Sequence, residues 1–148
     1  RTQAAGAAIG TVLLLLTAVD AGAAEPVEGE WVTAEAKARV RIARCADPGE
    51  TWCGVITWLA EPLDETGKPK TDKRNPDAAM HGRPIVGLPL LQGFRRTGPS
   101  SYGEGTIYDP EGGKTYRSKM SLAGPDTLQV AGCVLFFCRE QTWRRWRP

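Results

Sequence analysis

Apolar and polar residues alternate along most of the chain in short runs, and turn residues separate the runs. In residues 38–42, Ala38, Val40 and Ile42 fall on one face and Arg39 and Arg41 on the other. That is the period of a half-buried strand. Residues 52–59 (WCGVITWL) are apolar and β-prone on both faces. Residues 85–94 are apolar but interrupted by Gly87 and Pro89, which predicts a bent or edge strand with a bulge. Strands at 102–108 and 115–122 flank a strong turn, Asp109-Pro110-Glu111-Gly112-Gly113. In the second of them Tyr116, Met120 and Leu122 oppose Thr115, Arg117 and Lys119. Runs at 29–33, 128–133 and 138–146 complete the set. One helical turn is expected at 76–81, with Asn75 as its cap. No long 3.6-residue pattern competes and no internal repeat is visible. About eight short sequential strands predict an all-β fold, a small antiparallel up-and-down barrel that closure leaves without edges. An open sandwich is the alternative.

The N-terminal residues do not fit that scheme. Residues 7–19 (AAIGTVLLLLTAV) form an apolar run too short to span a bilayer, which takes about 20 residues. The run suits the centre of a secretory signal, and Ala21-Gly22-Ala23 supplies the small-x-small pattern of a cleavage site. The expectation is a signal peptide at 1–23, cut near Ala23, and a single barrel domain at 24–148 in the periplasm or secreted. An N-terminal helix packed on the domain is the other reading of the same residues.

Charge adds little. The 148 residues carry a formal net charge of +2, and losing Arg1 and Asp20 with the leader leaves it unchanged. No strongly charged partner is implied. With 17 Gly and 11 Pro the chain is richer in turn formers than a helical bundle, yet too apolar, at 41%, for disorder.

Cysteine changes the picture more. Cys45 and Cys53 flank a turn-rich loop, and Cys133 and Cys138 flank Val-Leu-Phe-Phe. An exported chain with an even cysteine count forms disulfides, and four cysteines allow three pairings. Local pairing, Cys45 with Cys53 and Cys133 with Cys138, places each pair across a hairpin. Each bridge then stabilises by about 2–2.5 kcal/mol on the loop-closure account. The spacings match neither paired zinc knuckles nor a Cys-x-x-Cys redox motif.

Taken in order, several motifs carry a resemblance: Gly29-x-Trp31, Cys53 to Leu59, Leu63-Asp64, Gly67-Lys68-Pro69-Lys70-x-Asp72, Asn75-Pro76-Asp77, Arg83-Pro84, Gly87, Gly93-Phe94, Gly105-x-Ile107-Tyr108-Asp109-Pro110, Gly113-Lys114-Thr115-Tyr116 and Thr142-Trp143-x-Arg145. They resemble an exported bacterial family catalogued as domain of unknown function 2147. The resemblance implies a small lipocalin-like barrel in the cell envelope, and it implies no activity and no catalytic residues. Gly29-x-Trp31 with a late arginine is also similar to the lipocalins, where a tryptophan plugs one barrel end beneath an arginine. Trp31 with Arg144 or Arg145 could repeat that, a structural cation–π contact worth about 1 kcal/mol.

Candidate chemistry is sparse. The segment from Leu59 to Pro84 is long and polar, and Asp64, Lys70, Asp72, Asn75 and Asp77 are its candidate contact residues. The competing reading is that they fold the loop through turns and caps. Its cations argue against a calcium site, and no metal or cofactor is expected. Gly113-Lys114-Thr115 lacks the preceding glycine of a phosphate loop. His81 is the only histidine, and Ser100 or Ser101 could meet it only outside any nucleophile-elbow motif. Asp64 and Asp77 are a possible acid–base pair that no spacing rule brings together. The balance leans away from an enzyme. The terminal Trp143-Arg144-Arg145-Trp146-Arg147 reads as a last strand that closes the barrel, with arginines outward or stacked on tryptophan. Nucleic acid is not an expected partner, and anionic envelope lipid is the alternative for this segment.

These observations lead to a binding module for a small apolar or lipid-like ligand, lined by Ile56, Trp58, Tyr108, Tyr116 and Met120. A side-chain-filled barrel that contacts an envelope protein through residues 60–83 is the alternative. A monomer without a transmembrane span in the mature chain is expected.

Overall fold

A computed structural model of the chain describes residues 2–6, 10, 13, 14, 24–47 and 49–148. The expected cut after Ala23 and all of the expected leader's apolar run except Gly10, Leu13 and Leu14 lie outside the described residues, as does Pro48.

Eight strands follow one another: β1 (Gly29–Val32), β2 (Ala38–Arg44), β3 (Trp52–Leu59), β4 (Pro89–Gly98), β5 (Ser101–Asp109), β6 (Lys114–Leu122), β7 (Thr127–Val134) and β8 (Phe137–Arg145). Each pairs antiparallel with the next, and β1 closes on β8 through Trp31↔Arg145 and Val32↔Arg144. The result is a closed up-and-down barrel, and the open sandwich is excluded.

Two features of β4 differ from the sequence reading. The strand begins at Pro89, because a proline can lead a strand without breaking a ladder bond. Residues 85–88 form a turn instead, with Gly87 at φ +96° and its N–H donating to Ile56 O. The expected bulge is present, since the β3–β4 register shifts twice around Gly54 and Gly93 sits at φ +70°. β4 is not an edge, because it pairs on both sides. The short helical turn is a 3-10 turn at Ala78–Met80 capped by Asp77, two residues later than the expected cap Asn75.

The strand directions give the barrel two unlike ends. One end holds the chain around residues 25–28, the Cys45–Cys53 loop and the β4–β5 and β6–β7 turns. It is closed by side chains. Trp31 is fully buried, and its indole N–H donates to Val27 O at 2.9 Å. The Arg145 guanidinium lies 4.2 Å over that ring and donates to the carbonyls of Pro26, Glu28 and Pro125. Arg145, not Arg144, is therefore the partner of Trp31; Arg144 is exposed on the outer face. Trp52 meets Tyr102 edge-to-face at 5.3 Å, and Glu25 accepts from the Tyr102 hydroxyl and Arg96. Burial, with Glu25 beside it, pushes the Tyr102 hydroxyl up to about 12. Gly105 admits the Phe94 ring here, because a Cβ would lie 2.5 Å from it. Both expected disulfides are formed, Cys45–Cys53 at this end and Cys133–Cys138 at the other.

Candidate functional site: the open end of the barrel

At the other end lie a 3-10 turn at Ala34–Ala36, the β3–β4 loop, the β5–β6 turn and the β7–β8 hairpin. A cavity of about 1750 Å³ opens between them. Side-chain alternation explains why it stays hollow. Directly paired residues share a face. Leu128↔Trp143 supplies large side chains at the floor, the middle rungs Val130↔Gln141 and Ser118↔Gly132 supply small or polar ones, and Ile107↔Tyr116 stands nearer the rim. Trp143 is buried at the floor, while Gln141 on the same inner face remains exposed. Ile56, Leu59, Ile107, Tyr116, Val130 and Trp143 form the apolar wall. Lys37, Asp64, Lys70, Arg74, Glu111 and Arg139 stand around the mouth, so charges of both signs face an entering molecule.

Of the residues proposed from sequence as the lining, Ile56 and Tyr116 border this cavity. Trp58 does not. The register moves from Val40↔Ile56 to Arg39↔Trp58, so Thr57 is an extra residue in β3 and the facing flips there. Trp58 is turned outward, where Arg39 is stacked between it and Trp146 at 4.6 and 4.4 Å. Leu59 takes the inward place, opposite Ala38. Met120 is buried in the core, outside the cavity lining. Tyr108 contributes to the wall, but it pairs with Thr115 rather than facing Ile107, and its hydroxyl leaves the lumen for Asp72. The bulge and the inward polar residues Gln141 and Arg139 are what the sequence pattern concealed. A two-residue alternation sustained through Thr142 and Trp143 was the one available sign that Gln141 faces in.

The long loop is folded, not free. Asp72 is fully buried and accepts from the Tyr108 hydroxyl (2.6 Å), the Asn75 amide (2.9 Å) and Arg83 Nε (2.9 Å). Burial pushes its carboxyl up, but these donors together outweigh burial and hold it below the ordinary aspartate value of 3.8. Asp72 is thus removed as a contact residue, because no partner can reach it. Asn75 and Asp77 are engaged in the same fold: Asn75 accepts from the Asp77 N–H and Asp77 from the Ala79 N–H. Asp64 closes its own turn on Thr66 and Lys68, and Lys70 faces Glu61 at 3.7 Å. These two are at the cavity mouth. Gly113 of the β5–β6 turn lets the loop in, at φ +67° with the Arg74 carbonyl where a Cβ would stand. A niche of about 220 Å³ lies on the outer face between this loop and β4–β6.

The serine–histidine reading fails on position. His81 is in the loop at the open end, its Nε2 2.7 Å from Asn75 O, while Ser100 is in the β4–β5 turn and Ser101 begins β5, both at the closed end. Among the described residues no three His, Cys, Asp or Glu side chains converge.

A closed eight-stranded barrel with one plugged and one open end is the lipocalin-like class. A solved structure from the human pathogen Helicobacter pylori, described as a protein of the lipocalin family, superposes with a TM-score of 0.70. It is 21% identical, over 81% of this chain and 82% of that one. The family described as uncharacterized protein conserved in bacteria, domain of unknown function 2147, matches residues 29–145, and the chain belongs to it. No curated protein matches the chain.

Proposed function

We propose that the protein is an exported binding module that holds a small apolar or lipid-like ligand in the open end of its barrel. The hollow, apolar-walled cavity carries this reading, with its charged mouth suited to a ligand that has a polar end. The lipocalin-like fold supports it. Export rests on the leader-like residues 7–19 and on two disulfides, which persist in oxidising compartments.

The test is a native mass spectrum of the protein purified from cell envelope, beside a denatured one. A discrete extra mass that disappears on denaturation is expected. Gly132→Trp should abolish it. A Cβ at Gly132 meets Ile107 and Tyr116 at ordinary contact distances, so the indole can project into the lumen without breaking the sheet. A bare protein that also takes up no fluorescent fatty acid overturns the reading, as does a plugged variant that keeps its ligand.

A further inference from the structure

The β7–β8 hairpin ends in four consecutive apolar residues that no other described residue covers. Val134, Leu135, Phe136 and Phe137 are 56, 82, 98 and 82% exposed. Val134 pairs with Phe137, so Leu135 and Phe136 alone form the turn. A two-residue hairpin turn favours Asn-Gly or Gly-containing pairs, because at least one residue takes positive φ. Here Leu135 stands at φ +52°, a conformation disfavoured for a bulky side chain. The sequence therefore places large apolar groups where turn formation opposes them. The Cys133–Cys138 bridge, on the rung directly below, holds the hairpin shut against that preference.

The surroundings indicate what meets the tip. On the outer face Arg117 pairs with Cys133 and Lys119 lies two residues lower on β6; Arg139 pairs with Gly132 and stands at the inner rim beside the tip. Glu140, paired with Ala131 beside Lys119, is the anion that the outer pair of cations outnumbers. An apolar tip above a basic collar matches the boundary between acyl chains and anionic headgroups. A protein partner fits less well. With about 200 Å² for each aromatic and less for Val and Leu, and allowing for the part already covered, the tip offers about 600 Å². A stable interface takes about 800 Å² from each partner, and a convex tip cannot bury all of its own area on a flat one. A lipid layer surrounds it.

We infer that the β7–β8 tip is a docking finger that inserts into an anionic phospholipid surface. Val134 and Phe137 also border the cavity, so docking sets the barrel mouth against the membrane. The inference does not depend on what the cavity holds.

The test uses residues 24–148, which contain all eight strands, the core and both disulfides. Cosedimentation is measured with vesicles of phosphatidylcholine and of an equal mixture with phosphatidylglycerol. Binding is expected to the mixed vesicles, weaker to phosphatidylcholine alone, and to fall as salt rises. The informative variant is Leu135→Gly with Phe136→Asn, which puts glycine at the positive-φ position. It should melt no lower than the parent, yet lose affinity on the order of a hundredfold. A soluble parent with both vesicle types, or a variant that binds as the parent does, overturns the inference. Equal binding to both vesicle types removes its anionic part. A concentration-dependent dimer that the variant dissolves, without vesicle binding, assigns the tip to a second copy instead.

Discussion

Asp72→Asn isolates the contact that fastens the long loop. The substitution keeps size and leaves one acceptor for the Tyr108 hydroxyl. The other oxygen becomes an NH₂ that faces two donors, Asn75 Nδ2 and Arg83 Nε. Two charge-assisted bonds are lost, each worth about 1.5–3 kcal/mol. The Arg83 side chain is 30% exposed and can turn to water, which discounts its share. We expect a loss of about 3 kcal/mol in urea unfolding followed by tryptophan fluorescence, with the disulfides intact. The loss should appear first as faster hydrogen exchange at the amides of Asp72 and Ile85, whose partners are Arg83 O and Lys70 O. Arg83→Met added to Asp72→Asn should recover part of it, since no unpaired charge is then left. Acid gives the same answer by another route. The folded carboxyl titrates below 3.8, so its stabilisation is complete above that value and disappears as pH falls through the lower folded value. The parent should lose this increment in acid and Asp72→Asn should not. A loss below about 1 kcal/mol with unchanged exchange would refute the argument, because the buried carboxylate would then not be holding the loop.

Two further outcomes follow from the same geometry. Gly113→Ala should lower stability by about 2 kcal/mol or more, through positive φ and collision with the Arg74 carbonyl; thermal unfolding reads it, and an unchanged midpoint contradicts the loop contact. Tyr102, raised to about 12 in the folded state from an ordinary 10, stabilises fully below 10 and loses that contribution as pH rises toward 12. Ultraviolet titration should show the Tyr102 phenol ionising near 12, and Glu25→Gln should bring it down.

The strands were legible because alternation and turn residues agree locally with the fold. Val40, Ile42 and Met120 are buried as the period demands, and the Asp109–Gly113 turn joins the strands it separates. Closure was legible from strand number and order. The lumen was less so. One extra residue at Thr57 inverts everything after it, which is why Trp58 is outside and Leu59 inside. No single-residue propensity signals that insertion; it arises in the pairing of β3 with β2. Asp72 illustrates a second limit. In the sequence it is one polar residue among many in a polar loop, and only the convergence of Tyr108, Asn75 and Arg83 from separate parts of the chain makes it a buried anchor.

The two ends of the barrel obey local rules to different degrees, and that difference is informative. At the closed end each demanding group is answered: the Trp31 N–H by Val27, Arg145 by three carbonyls, the Tyr102 hydroxyl by Glu25. Substitutions there should read out as stability. At the open end the chain departs from what folding alone favours. Gln141 occupies an inward position a leucine could fill, and Leu135 and Phe136 occupy a turn that Gly-Asn would form more readily. Such departures concentrate where selection acts on something besides stability. Both lie on β8 and the hairpin that starts it, so the inward polar positions and the exposed tip share one strand. A ligand leaving a membrane beside Phe136 would meet Val134 and Phe137 first, then Arg139 and Gln141, and last the Trp143 floor.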